Sequence, residues 1–94
     1  MDDKNLNKLV TLFKALADPA RLRILGLLAE RPHVGHELAE RLELTAPTIS
    51  HHTRRLVDAG LVDVTPEAQA RIYSLRENPL REMSQAIDRQ ALAE

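Results

Sequence analysis

The chain has 94 residues, with 13 Lys or Arg, 14 Asp or Glu and a formal net charge of −1. This length predicts one domain, residues 1–94, whose thin core dimerisation would help to bury. The absence of cysteine excludes disulfides, thiolate metal sites and a cysteine nucleophile. The balanced charge excludes a polybasic tail but leaves room for a local basic surface.

Neither a targeting sequence nor a membrane segment is expected. Residues 1–5 are polar, and no apolar run of the signal-peptide type follows them. No stretch of the chain approaches the length that crosses a bilayer. We therefore expect a cytoplasmic protein without a membrane partner.

Two helices are predicted at the start of the chain. The first covers about residues 5–17, because its apolar residues recur at three- and four-residue steps: Leu6, Leu9, Val10, Phe13 and Leu16. Asp18 and Pro19 end it and start a second helix over about residues 19–29. Its apolar residues point nearly all round, which predicts a mostly buried helix: Leu22, Ile24, Leu25, Leu27 and Leu28. Gly26 inside this helix predicts close packing against a neighbour.

A short helix, a tight connection and a longer helix come next. The short helix is predicted over about residues 34–42 and the longer one over about residues 46–59, with residues 43–45 between them. Thr45 is a good N-cap, and Pro47 falls in the first turn, where a missing N–H does no harm. Gly60 stands where a left-handed C-terminal cap is needed.

After Gly60 the apolar residues no longer recur with helical spacing. Residues 61–64 and 71–75 are short and β-prone, so a hairpin is predicted with residues 65–70 between its strands. Asn78 and Pro79 predict the start of a last helix, with Leu80, Met83, Ile87 and Ala91 on one stripe. The expected order is α-α-α-α-β-β-α, mainly α with a small hairpin. A helix-turn-helix followed by a two-stranded wing is a winged helix-turn-helix.

The longer predicted helix contains most of the candidate functional residues. No acidic residue occurs from Leu44 to Val57, as phosphate oxygens and base edges require of a DNA-binding face. With Ile49 turned inward, a helical wheel places Thr48, His51 and Arg54 as base-edge or groove contacts, and Thr45, Ser50 and Arg55 nearer phosphates. Pro47, His52 and the wing residue Arg71 complete the predicted DNA-binding set. The alternative is that the arginines are ordinary solvated helix residues.

Three segments resemble the ArsR/SmtB family of winged-helix repressors. They are Phe13–Leu25, Leu44–His52 and Leu56–Val62, within a resemblance that covers about residues 9–75. It implies a homodimer joined by the first and last helices, and operator binding that blocks transcription and is usually released by an effector. Thr53 and Arg55 depart from the family, which usually has apolar residues there. We expect Thr53 to weaken the packing of its helix.

The family's metal sites are not expected. Its thiolate motif aligns with Val34–Leu38, where both cysteines are missing. Its other site begins Asp-x-His, and the nearest match, Asp88–Gln90, lacks the His and is followed by too few residues for a second ligand pair. His33 and His36 could share a helical face, but two ligands do not make a zinc site. We expect no metal and no cofactor, and the sequence does not name an effector.

Dimerisation is predicted from apolar stripes that a domain this small can hardly bury alone. The proposed seam comprises Leu6, Leu9, Val10, Phe13, Leu80, Met83 and Ile87. The main hypothesis is a dimeric regulator of transcription, a repressor by resemblance, that binds double-stranded DNA. The alternative is a winged helix that docks a partner protein through the same face. An enzyme is not expected, since the sequence offers no nucleophile–base pair and no phosphate-binding Gly-rich loop.

Overall fold

The structure is a computed structural model that describes residues 2–88. Five helices and three strands occur in this range. They are α1 (Asp3–Leu16), α2 (Pro19–Glu30), β1 (His33–Val34), α3 (Gly35–Leu42), α4 (Ala46–Asp58), β2 (Val62–Glu67), β3 (Ala70–Leu75) and α5 (Glu77–Ala86). This is the expected winged helix-turn-helix with one additional short strand.

The helices begin and end where the sequence carries capping residues. Asp18 accepts a hydrogen bond from the backbone N–H of Arg21, with Pro19 at the first position of α2. Thr45 caps α4 in the same way. Gly60 has φ 79° after α4, which is the left-handed conformation expected there. The caps therefore confirm the predicted boundaries between α1 and α2 and around α4.

One apolar core joins the helices to the sheet. α2 contributes Ile24, Leu25 and Leu28, and each of the other elements except β1 and α5 adds one or more buried side chains. The remaining members are Leu12, Ala15, Leu38, Ile49, Leu56, Leu61, Val62 and Tyr73. Leu80 and Met83 of α5 pack against this cluster from outside. The core thereby fixes α4 and the hairpin on one framework.

The sheet is antiparallel with strand order β1-β3-β2. β1 pairs His33 with Tyr73 and Val34 with Ile72, a strand that the sequence did not predict because two residues show no periodicity. β2 and β3 extend to Glu67 and Ala70, which pair with each other. The connection is therefore only two residues long, shorter than expected, and Ala68 in it has φ 53°.

Three expectations for the helices were wrong. Leu22 of α2 is 54% exposed rather than buried. A Cβ added at Gly26 would meet no atom within 4 Å, so close packing within the chain does not explain that glycine. α5 begins at Glu77 with Arg76 as its N-cap, so Asn78 lies inside the helix. Pro79 is then in the first turn, where no backbone hydrogen bond is lost. The predicted stripe residue Ala91 lies outside the described residues.

Among residues 2–88, no helix combines the length and the apolar character that a membrane span requires.

Candidate nucleic-acid interface

Helix α4 presents one face to the core and the opposite face to solvent. Ile49, Thr53 and Leu56 are at most 2% exposed, in agreement with the helical wheel. His51, Arg54 and Arg55 lie on the exposed side. The acid-free stretch of the sequence thus becomes an exposed helical surface that carries two arginines and one histidine.

The buried Thr53 does not leave an unpaired polar atom in the core. Its single Oγ1–H is shared between the backbone carbonyls of Ile49 at 2.9 Å and of Ser50 at 3.2 Å. A hydroxyl bonded to the preceding turn of its own helix is well tolerated in an interior. The expected weakening of packing is therefore limited to the methyl group that an aliphatic residue would add.

The N-terminus of α4 is a polar end with exposed residues. Thr45 Oγ1 accepts a hydrogen bond from the backbone N–H of Thr48 at 3.3 Å and lies 2.9 Å from Thr48 Oγ1. Pro47 and Ser50 are exposed, whereas Thr48 is half-buried. Free N–H groups and the helix dipole at such an end favour a phosphate.

A groove of about 520 Å³ separates α4 from the hairpin. Ser50, His51 and Arg54 line it from α4, and Arg71 lines it from β3. Arg71 itself is exposed. The fold therefore brings together the predicted base-contacting helix and the predicted wing residue along one groove.

Arg55 lies on the other flank of α4. It lines a shallow depression together with Lys14 of α1 and Arg21 of α2, and its Nε lies 3.5 Å from His51 Nε2. Sequence reasoning missed Lys14 as a neighbour of this surface. The two residues are far apart in the chain, and they reach one depression because α1 and α4 both pack on α2.

His52 is directed away from the exposed face of α4, and its side chain is only 14% exposed. It faces Asp18 and Arg21 at the start of α2. The backbone N–H of Arg21 is the main cause that lowers the pKa of Asp18. Asp18 therefore stays an anion next to the His52 ring.

Comparison with known proteins decides the family. The family profile described as "Bacterial regulatory protein, arsR family" matches residues 18–64, which span α2, the helix-turn-helix and the start of the hairpin. The chain belongs to the ArsR family. The arsenical resistance operon repressor of Staphylococcus xylosus is 36% identical over 81 residues, which is 86% of this chain and 78% of that protein.

Two further proteins resemble this chain in sequence and fold. The transcriptional activator HlyU of Vibrio cholerae is 37% identical over 87 residues, 93% of this chain and 81% of that protein. Its solved structure matches with a TM-score of 0.79 at 34% identity and covers 99% of this chain and all of that one. A homodimeric winged helix-turn-helix DNA-binding domain from Mycobacterium bovis has a TM-score of 0.78 at 26% identity, covering 98% and 91% of the two chains. This chain is accordingly a transcriptional regulator of the ArsR family.

The positions of the ArsR thiolate motif fall at the start of α3. Val34, which the sequence resemblance aligns with one cysteine of that motif, ends β1, and His36, which it aligns with the other, is exposed. His33 is buried, with Nδ1 2.8 Å from the carbonyl oxygen of Arg31. Within residues 2–88 no group of three or more His, Asp or Glu could hold a metal ion. Of the second motif, Arg89 and Gln90 lie outside the described residues.

The proposed dimer residues divide into two groups. Leu6, Val10 and Phe13 of α1 are 41–47% exposed. Leu9 is buried within the chain, while Leu80, Met83 and Ile87 are half-buried. α1 and α5 lie side by side, as the distance of 3.5 Å between Lys8 Nζ and Glu82 Oε2 indicates. The exposed α1 side chains are therefore the ones free to meet another molecule.

Proposed function

We propose that this ArsR-family protein is a homodimeric repressor that binds double-stranded DNA with sequence specificity, each chain acting as one DNA-binding domain. The groove that Arg54 and Arg71 line together carries this proposal. A helix that enters the major groove needs exposed donors free of acidic neighbours, and a wing needs a cation that faces the same duplex. α4 and the hairpin place His51, Arg54 and Arg71 along one groove, and the acidic residue that also lines it, Asp58, lies at the C-terminal end of α4.

The roles of the side chains follow from their positions. Thr48, His51 and Arg54 contact base edges in the major groove, and Arg54 is the strongest of them because a guanidinium can bind guanine with two hydrogen bonds. Pro47 lies beside them at the start of the helix. Phosphate contacts come from Thr45, Ser50, Arg55 and Arg71, and the structure adds Lys14 as a further candidate.

The dimer forms through α1 together with α5. Leu6, Val10 and Phe13 expose a stripe of apolar surface along α1, and such a stripe on a small domain marks an interaction site. Leu9, Leu80, Met83 and Ile87 support this seam from the side of the core. Two-fold symmetry then presents two copies of α4 to two half-sites about one helical turn apart.

Regulation of this protein does not use the thiolate site of its family. Val34 and His36 replace the two cysteines of that motif, and a valine side chain cannot ligate a metal. We infer that an effector, if the operator is released by one, acts on another part of the dimer.

Charge reversal tests the proposal. Purified protein is incubated with genomic DNA fragments and with random duplex at physiological salt, and bound fragments are sequenced. The wild-type protein enriches specific fragments, whereas the Arg54→Glu/Arg55→Glu variant enriches none while keeping its fold and dimeric state. Lys4→Glu/Arg23→Glu is the matched control, because it changes the net charge equally at exposed positions outside the groove.

The same experiment distinguishes DNA binding from the alternative, a winged helix that docks a partner protein. If the wild-type protein enriches no fragment over random duplex, the DNA-binding proposal is wrong. Capture of a specific protein partner that Arg54→Glu/Arg55→Glu abolishes would then support a protein-docking winged helix.

A further inference from the structure

Three polar side chains converge where α1 ends, α2 begins and α4 passes over both. His52 Nδ1 on α4 lies 3.4 Å from Arg21 Nη1 and 3.7 Å from Asp18 Oδ2. Asp18 is also the N-cap of α2. The His52 ring therefore contacts α2 through two charged groups, whereas its neighbour His51 is exposed on the groove side.

The guanidinium of Arg21 also binds the end of α1. Its Nε donates to the carbonyl oxygen of Ala15 at 2.6 Å, and its Nη2 donates to that of Lys14 at 3.2 Å. Carbonyls in the last turn of a helix lack partners within the helix; Arg21 provides one for Ala15 and a second one for Lys14, whose carbonyl also receives the N–H of Ala17. One guanidinium thus bridges the C-terminal end of α1 and a side chain of α4.

We propose that His52 is a positioning residue that holds α4 at a fixed angle to α1 by accepting a hydrogen bond from Arg21. This inference rests on the proposed function, because α1 carries the proposed dimer seam and α4 the proposed DNA contacts. In the dimer, the angle between these two helices determines the separation of the two recognition helices.

Removal of the contact between His52 and Arg21 is expected to lower the affinity only for DNA that carries two half-sites. The core contacts of Ile49, Thr53 and Leu56 hold α4 along one face, and His52 adds a polar contact towards the end of α1. Without that contact each subunit still reads its own half-site. Simultaneous engagement of two half-sites depends on matched spacing, and it loses affinity when the geometry is wrong.

The test compares two duplexes. The first is a 30-bp duplex that the wild-type protein selects from a random-sequence library, and the second is the same duplex with one half-site scrambled. His52→Leu removes the acceptor, His52→Asn keeps an acceptor near the position of Nδ1, and His51→Leu is the matched control on the exposed neighbour. Affinity, its salt dependence and thermal unfolding are measured for each protein.

We expect His52→Leu to lose about 10-fold in affinity for the two-site duplex and less than about twofold for the one-site duplex. His52→Asn restores most of the loss. His51→Leu lowers the affinity for both duplexes by a similar factor, because His51 belongs to the proposed base-contacting set.

Three results would overturn the inference. If His52→Leu lowers the affinity for both duplexes equally and reduces its salt dependence, His52 is a direct phosphate contact. If His52→Leu lowers the unfolding temperature and the affinity for both duplexes equally, and His52→Asn does not restore the affinity, the role of His52 is structural. Unchanged affinity for both duplexes gives it no role in binding. If the wild-type protein selects no duplex, it is the proposed function that fails.

Discussion

The carboxylate of Glu37 joins Arg31 to the start of α3. Its Oε2 accepts a hydrogen bond from Arg31 Nη2 at 2.9 Å, and its Oε1 accepts one from the backbone N–H of Val34 at 3.0 Å. The guanidinium of Arg31, and then the N–H of Val34, lower the pKa of Glu37 from 4.5 to about 2. Ionised Glu37 thereby fixes the first turn of the helix-turn-helix.

This contact predicts a pH dependence of stability. A carboxyl whose pKa is lower in the folded state stabilises the fold above its unfolded pKa, and this contribution disappears as the pH falls through the folded value. We expect the free energy of unfolding of Glu37→Gln to depend less on pH than that of wild type between pH 4.5 and about 2. Chemical denaturation across this range checks it, with Glu40→Gln on the exposed side of α3 as control. Parallel curves for wild type and Glu37→Gln would contradict the account.

Thr53 predicts a gain in stability. Thr53→Val removes a buried hydroxyl whose acceptor, the Ile49 carbonyl, still receives the helical N–H, and it adds an apolar methyl group. We expect the free energy of unfolding to rise by about 1 kcal/mol. Thr53→Ser, which keeps the hydroxyl and loses the methyl group, lowers it by about 1 kcal/mol. The opposite order of the two variants would show that the hydroxyl is needed.

Substitutions at Gly26 and Gly60 are expected to have opposite effects on stability. Gly26 lies inside α2 with open space around it, so Gly26→Ala stabilises the protein by about 1 kcal/mol through helix propensity. Gly60 has φ 79°, so Gly60→Ala destabilises it by about 1 kcal/mol. Thermal and chemical unfolding measure both. A loss of stability in Gly26→Ala would mean that this face of α2 packs closely against a partner subunit.

The dimer predicts the effect of a charge on α1. Phe13 is 44% exposed, and Phe13→Asp places a carboxylate in the proposed seam. We expect the dissociation constant of the dimer to rise by about 30-fold, measured by analytical ultracentrifugation. Val64→Asp is the matched control, because Val64 is 38% exposed on the hairpin. If wild type is a monomer at micromolar concentration, or if both variants behave alike, the seam lies elsewhere.

Much of the fold could be predicted because its elements carry local patterns. The spacing of Ile49, Thr53 and Leu56 predicted which side of α4 is buried, and Thr45 and Gly60 predicted its ends. β1 could not be predicted, since its two residues become a strand only by pairing with Ile72 and Tyr73. The exposure of Leu22 could not be predicted either, because its helix is apolar on nearly every side.

The sequence could nominate candidate DNA-binding residues one by one, but it could not show how they are arranged in space. An acid-free stretch of sequence identifies α4, yet it does not show that Arg54 shares a groove with Arg71 while Arg55 lines a separate depression with Lys14. The inward position of His52 was also hidden, because its partners Asp18 and Arg21 belong to another helix. Contacts between elements distant in sequence decide these positions.

The central claim is that two copies of α4 read two half-sites of one duplex. A footprint of the wild-type protein on a fragment that it selects from genomic DNA tests this most directly. We predict two protected segments with two-fold sequence symmetry, about one helical turn apart, and no protection by Arg54→Glu/Arg55→Glu. A single unsymmetrical protected segment, or a footprint that the charge reversal leaves intact, would contradict the account.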